Sequence, residues 1–233
     1  MKLPKTFRII LCIILSTFVT TFSNAAENNS LTIPRIDGVP TLADFAGMSP
    51  NSSLARSMSK AENFTQREPD VGQPSSQRTE VYIGYDDENF YTVFLAFDSN
   101  PELIRGNFSA RENIFGDDWV GVMVDTFNDQ QSSFAFASNP RAIQFDARWT
   151  EGSSGRRGFD PTFDAVWFNE GELNDQGYMV SFAIPLRSLR FNEVDEQTWR
   201  IQFTRTIPRN NEESHWPEYS IDVEGRLNQA ALL

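Results

Sequence analysis

The chain has a single histidine, His215, so any nucleophile–imidazole–carboxylate relay would have to run through it. It sits in Glu212-Glu213-Ser214-His215-Trp216-Pro217, a loop-like context without a nucleophile elbow that suits a surface or loop-packing imidazole. Gly152-Ser153-Ser154-Gly155 lacks the G-x-S-x-G spacing and reads as a flexible connection. Carboxylates are the second chemistry, because a glycosidase needs only two. Asp117-Asp118 is the densest pair, yet neighbours on a strand point to opposite faces and cannot flank one bond together. Acidic positions at strand ends are Asp86-Asp87-Glu88, Asp98, Asp117-Asp118, Asp125 and Asp129. They offer the hard oxygens that a structural calcium ion takes, although the same carboxylates also serve turn hydrogen bonds. None matches the twelve-residue helix-loop-helix calcium pattern.

Aromatic residues are the third chemistry. Phe115, Trp119, Trp149, Trp167, Trp199 and Trp216 punctuate the strands and loops. Sugar rings present apolar C–H faces, so exposed aromatic platforms with nearby polar groups can hold them, whereas most aromatics of a β-sandwich are core. Phe115 and Trp216 lie in the most loop-like contexts and are expected to be exposed.

Composition narrows the classes. The 233 residues include 20 Lys or Arg and 32 Asp or Glu, for a net charge of −12, and one cysteine, Cys12. Lys2, Lys5 and Arg8 precede an apolar run from Ile9 to Val19, and Ser23-Asn24-Ala25 supplies small residues for cleavage. Residues 1–25 therefore read as a secretory signal, too short for a membrane anchor. Its loss removes the cysteine and three cations, leaving an exported chain more acidic than the whole. That excludes disulfides, thiol nucleophiles and cysteine-held zinc, and disfavours nucleic acid as a partner. No second apolar run is long enough to cross a membrane as a helix. Roughly 200 residues bury one core, so residues 34–233 are expected to form one domain after a polar leader over 26–33.

The elements that would position these groups are strands. Thr79 to Tyr85 alternates, with Val81 and Ile83 on one face and Tyr82 on the other. Asp86 to Asn89 forms a turn into Phe90 to Phe97, a hairpin pattern. Further strands are expected over 119–125, 133–138, 143–149, 165–169, 178–184, 199–205 and 219–223. About nine short strands separated by turn signals predict an all-β, antiparallel β-sandwich. Helix is expected only as turns near Pro101–Arg105 and Pro185–Leu189. In 119–125, Val120, Val122 and Val124 share one face and Trp119, Gly121 and Met123 the other, so this strand is expected to be central and covered on both sides.

Several stretches, in order, carry a family resemblance. They are Pro34-Arg35-Ile36-Asp37-Gly38, Phe64 to Pro69, Tyr85 to Tyr91, and Phe115-Gly116-Asp117-Asp118-Trp119-Val120. Val124 to Asp129, Ala183 to Phe191, Trp199 to Arg209, Glu212 to Trp216, and Gly225-Arg226-Leu227 complete the series. Together they resemble the family 9 carbohydrate-binding modules, more specifically the family-9-like domain that precedes a β-barrel of undetermined function in certain large bacterial outer-membrane proteins. The resemblance implies a β-sandwich, two aromatic platforms around a terminal sugar, and loops supported by calcium. By motif position it puts the platforms at Phe115 and Trp216, and the motif aspartate at Asp118. Two positions depart from the pattern: Gly121 stands where sugar-binding members commonly carry an acidic residue, and Ser181 where a glutamate is usual.

The leading expectation is an exported, non-catalytic glycan-binding domain associated with carbohydrate breakdown, in the periplasm, at the outer membrane or outside the cell. Phe115, Trp216 and Asp118 are its expected binding residues, and calcium its expected structural ion. The alternatives are an interaction domain of an outer-membrane barrel system that has lost sugar binding, and a carboxylate glycosidase.

Overall fold

The computed structural model describes residues 30–153, 158–160 and 162–233. The expected export signal, the start of the leader and part of the Gly152–Gly155 stretch lie outside these residues.

Two antiparallel sheets face one another. The smaller runs β1 (Ser59–Ala61), β3 (Thr79–Tyr85), β4 (Asn89–Phe97), β10 (Gly177–Pro185), β9 (Phe168–Asn174) in spatial order. The larger runs β2 (Thr65–Glu68), β12 (Glu212–Trp216), β11 (Arg200–Ile207), β5 (Trp119–Asp125), β6 (Ser132–Ser138), β7 (Gln144–Thr150), β8 (Phe159–Asp160), and β13 (Ala231–Leu232) also pairs with β11. The antiparallel sandwich inferred from strand periodicity is thus present, with thirteen strands among the described residues rather than about nine.

Alternation selects the inner face. Val81 and Ile83 of β3, Phe90 and Phe94 of β4, and Tyr178, Val180, Phe182 and Ile184 of β10 point across to the larger sheet. Val120, Val122 and Val124 of β5, Phe134 and Phe136 of β6, and Ile201 and Phe203 of β11 meet them. Burying each such side chain contributes about 1.5–3 kcal/mol, which explains stability without a disulfide. The β3–β4 turn is closed by the Asp86 carboxylate, which accepts from the Glu88 and Asn89 amides at 2.8 and 2.7 Å and from the Tyr91 hydroxyl at 2.7 Å.

The outer face of the smaller sheet is covered. Tyr82, Tyr91, Val93, Leu95 and Met179 point outward into Ile36, Leu42, Phe45, Met48, Ala55 and Met58. That covering layer comes from the segment before the first strand, shaped by a 3-10 turn at Leu42–Phe45 and a short helix, α1 (Ser53–Ser57). The Ser52 hydroxyl caps α1 by accepting from the Ala55 amide at 3.0 Å.

Several expectations need correcting. Residues 219–223 form no strand, while Glu212–Trp216, read as a loop, is β12. The strand expected at 165–169 lies at Phe168–Asn174. The short edge strands β1 and β2 lie in polar stretches outside the expected strands. Their pairing partners are distant in sequence, Tyr82 for Lys60 and His215 for Thr65, so local pattern alone could not reveal them.

Candidate functional site

The outer face of the larger sheet carries a groove, and its floor side chains Met123, Ala135 and Ala137 are themselves buried. Strand register places one row across it: His215 of β12, Thr204 of β11, Gly121 of β5, Ala137 of β6 and Phe145 of β7. The next row holds Gln202, Met123, Ala135 and Ala147. Small side chains at the centre leave a trough, and the cavity above it measures about 670 Å³. Its size falls in the range of small-molecule sites.

Aromatic residues border the trough. Trp119 begins β5 and Phe115 lies in the loop before it; their rings meet edge-on at 5.9 Å, and Phe115 also meets Phe145 at 4.8 Å. Phe115 is 52% exposed, so much of its ring faces solvent. Trp149 and Phe159 line the far side. Two glycines shape this wall. A Cβ on Gly121 would stand 3.0 Å from Ala137 Cβ and 3.4 Å from the Trp119 ring, so the bare backbone lets that indole lie against the strand. Gly158 has φ +90° and sits against Trp149, where a Cβ would come within 2.6 Å of Nε1.

The opposite border is polar. Tyr219 stands between two guanidinium groups, with Arg67 5.4 Å and Arg226 5.2 Å from its ring centroid. Arg226 also donates through Nε to Gln202 at 2.6 Å, and Arg67 pairs with Glu68 at 2.8 Å. Beneath them His215 is fully buried, with Nδ1 3.1 Å from the Thr204 hydroxyl and Nε2 2.9 Å from the Glu213 carboxylate. Burial drives the imidazole down to about 4, against the opposing pull of Glu213, so His215 is neutral at ordinary pH. Burial pushes Glu213 up, but its bond to His215 and the charges of His215, Arg67 and Arg226 outweigh that and hold it at about 2.

No protein-family model and no curated protein matches the chain. Solved structures do. A candidate carbohydrate-binding protein from Bacteroides uniformis superposes at TM-score 0.64 and 11% identity, over 88% of this chain and 98% of its own. A family 9 carbohydrate-binding module from Caldicellulosiruptor kristjanssonii, solved in complex with glucose, superposes at TM-score 0.52 and 11% identity, over 88% of this chain and 92% of its own. The fold is that of a family 9 carbohydrate-binding module.

Within this family-9-like fold the three expected binding residues do not converge. Phe115 stands on the groove. Asp118 is fully buried, because its parity along the chain matches Val120 and turns it between the sheets, where it accepts from the Arg105 amide at 2.9 Å. Burial raises its carboxyl above the usual range despite that bond and the nearby Arg205 and Arg209. Trp216 is half-buried and packs on Phe203 at 5.8 Å, on the core side of β12. The expectation that Trp216 is exposed came from its loop-like context, and pairing of β12 with β11 removes that context. His215, expected in a surface loop, is buried for the same reason.

The sequence reading missed Tyr219, Arg67 and Arg226 as groove residues. Trp119 and Gly121 were visible as one face of β5 that was expected to be covered; Gly121 and Met123 on it are buried as expected, and the groove lies above them. Ala135, Ala137 and Ala147 alternating on two neighbouring strands were the available signal.

The acidic loops are spent on other bonds. Asp98 receives two contacts from Arg209 Nη2 at 2.7 Å, and Asp117 accepts from the Asn107 amide at 3.0 Å and from the Asn139 side chain at 2.9 Å. Asp125 accepts from the amides of Phe127 and Gln130 at 3.1 and 2.9 Å, and Asp129 from that of Gln131 at 2.8 Å. Among the described residues no three His, Cys, Asp or Glu side chains stand together as a metal-binding group.

Proposed function

We propose that this domain binds glycan, without catalysing its cleavage, in the groove on the outer face of the larger sheet. The carrying observation is the groove's two-sided chemistry: Trp119, Phe115 and Phe145 offer aromatic surface, and Arg67, Tyr219 and Arg226 offer hydrogen-bonding groups across a floor of Gly121, Ala135 and Ala137. A pyranose has the matching character, with apolar C–H faces and a polar perimeter. The glucose complex of the Caldicellulosiruptor kristjanssonii module, which shares the fold, supports the same reading.

A hydrolytic role fits less well. The Asp117–Asp118 pair on which that reading rests is buried, Asp118 bound to the Arg105 amide and Asp117 to Asn107 and Asn139. Export by the segment 1–25, and service to carbohydrate breakdown in the cell envelope, belong to the proposal.

A glycan array followed by calorimetry with the best oligosaccharides tests it. Binding that weakens in Trp119→Ala and in Phe115→Ala is the expected result. Failure to bind any member of a broad panel would overturn it and favour an envelope-interaction role, which requires indifference to sugars.

A further inference from the structure

The inner faces of the two sheets meet at one end in charge rather than in hydrocarbon. Arg205 of β11 is fully buried and turned toward the smaller sheet, where its Nη1 donates to the Arg78 carbonyl at 2.9 Å and the Thr79 hydroxyl at 3.0 Å. Around it stand Asp98 after β4, Asp118 before β5, Tyr178 on β10 and Arg209 after β11. Arg205 Nη2 is 3.7 Å from Asp98, and Arg209 Nη1 is 4.0 Å from Asp118 Oδ1. Both distances exceed hydrogen-bond length.

Five buried polar atoms of this cluster therefore have no hydrogen-bond partner among the described residues: Arg205 Nε and Nη2, Arg209 Nη1, the Tyr178 hydroxyl and Asp118 Oδ1. Buried groups of this kind are regularly paired in folded proteins, and each one left unpaired forfeits its full hydration. Asp98 cannot serve them all, since it already takes Arg209 Nη2 and the Asn100 amide.

From this cluster we infer an internal hydration site that joins the two sheets: ordered water bridges Arg205, Arg209, Tyr178 and Asp118. The chemistry selects water over an ion. Two carboxylates and two guanidinium groups balance in charge, so neither a cation nor an anion is required. The occupant must accept from guanidinium N–H groups and also donate to Asp118 Oδ1, and water does both. An anion would be repelled by Asp118, and a cation by the two arginines.

The site has a structural consequence for the groove. Asp118 exchanges bonds with Arg105, accepting its amide and donating its own to the Arg105 carbonyl at 2.9 Å each, and Asp117 holds the Asn107 amide. These bonds fasten both ends of the loop that carries Phe115. Water in the cluster is thus part of what positions that loop.

The test is a high-resolution crystal structure of the intact protein together with oxygen-17 water relaxation in solution. Expected are density within hydrogen-bond distance of at least two of the five atoms, and a long-lived water contribution that falls in Tyr178→Phe, a substitution that keeps the ring in place. Direct closure of both ion pairs without intervening density would overturn the inference. So would a Tyr178→Phe protein, folded by its circular dichroism and melting curve, with the same long-lived contribution as the parent.

Discussion

The two sheets share a core, and their outer faces have opposite fates. On the smaller sheet the outward positions are large: Tyr82, Tyr91, Val93, Leu95 and Met179. They interlock with Phe45, Leu42 and Met58 from the preceding segment, and the face is closed by the protein's own chain. On the larger sheet the outward positions of the two central groove strands are Gly121, Met123, Ala135 and Ala137, three of them small, and the large rings stand at the border. A face of large apolar residues must be covered because exposing it costs hydrophobic free energy. A face of small ones with a raised border is a trough that can await a ligand. Residue size at outward positions, more than hydrophobicity, separates the structural face from the binding face.

Four measurements break or sharpen that contrast. The largest effect is expected at the covered face: Phe45 is fully buried and packs 4.9 Å from Tyr82, so Phe45→Ala should cost about 3–5 kcal/mol in urea unfolding, with glycan affinity unchanged in the folded fraction. An equal loss of affinity would mean that the two faces are coupled.

Acid should act through the groove side. The His215 imidazole titrates near 6.5 when unfolded and at about 4 when folded, so between those values the unfolded chain binds the extra proton. Stability is then full above pH 6.5 and falls by about 3 kcal/mol as the pH drops to about 4. His215→Gln should flatten this part of the pH profile, and an unaltered profile would show that His215 does not control it.

Trp119→Ala should weaken glycan binding about tenfold, ~1.4 kcal/mol, while lowering stability less than Phe45→Ala does. A variant whose melting point collapses with its affinity would place Trp119 with the core rather than with the site. The smallest change is expected from Gly121→Ala, about 1 kcal/mol of overpacking, since the new methyl meets Ala137 Cβ and the Phe136 carbonyl oxygen at 3.0 Å. The structural test of its role is the Trp119 emission spectrum, which should shift as the indole is displaced; an unchanged spectrum would remove Gly121 from the description of the platform.

Strand periodicity made most of the architecture legible. Val120, Val122 and Val124 announced an inner face that the structure keeps, as did Val81 and Ile83. Phe115 was legible as an exposed ring because it stands in a polar loop next to a strand start. Trp216 and His215 misled because β12 has no alternating apolar pattern: its strand character comes from pairing Glu212–Trp216 with Ile207–Phe203 and with β2. The burial of Asp118 was not legible from its motif position, since only the turn into β5 decides which way its carboxylate points.

What this sequence determined by itself is therefore local in origin: all-β class, acidity, the absence of any thiol after Cys12, and which side of each long strand is apolar. The tertiary structure alone decided which outer face is sealed by the preceding segment and which carries a groove, because that depends on residues far apart in the chain. Arg67, Tyr219 and Arg226 become one border of the groove only once β2 lies beside β12 and the chain after it folds back. Likewise Asp98, Asp118, Arg205 and Tyr178 become one cluster only when the two sheets close. Periodicity reports which side a residue takes on its own strand, and packing determines what it meets there.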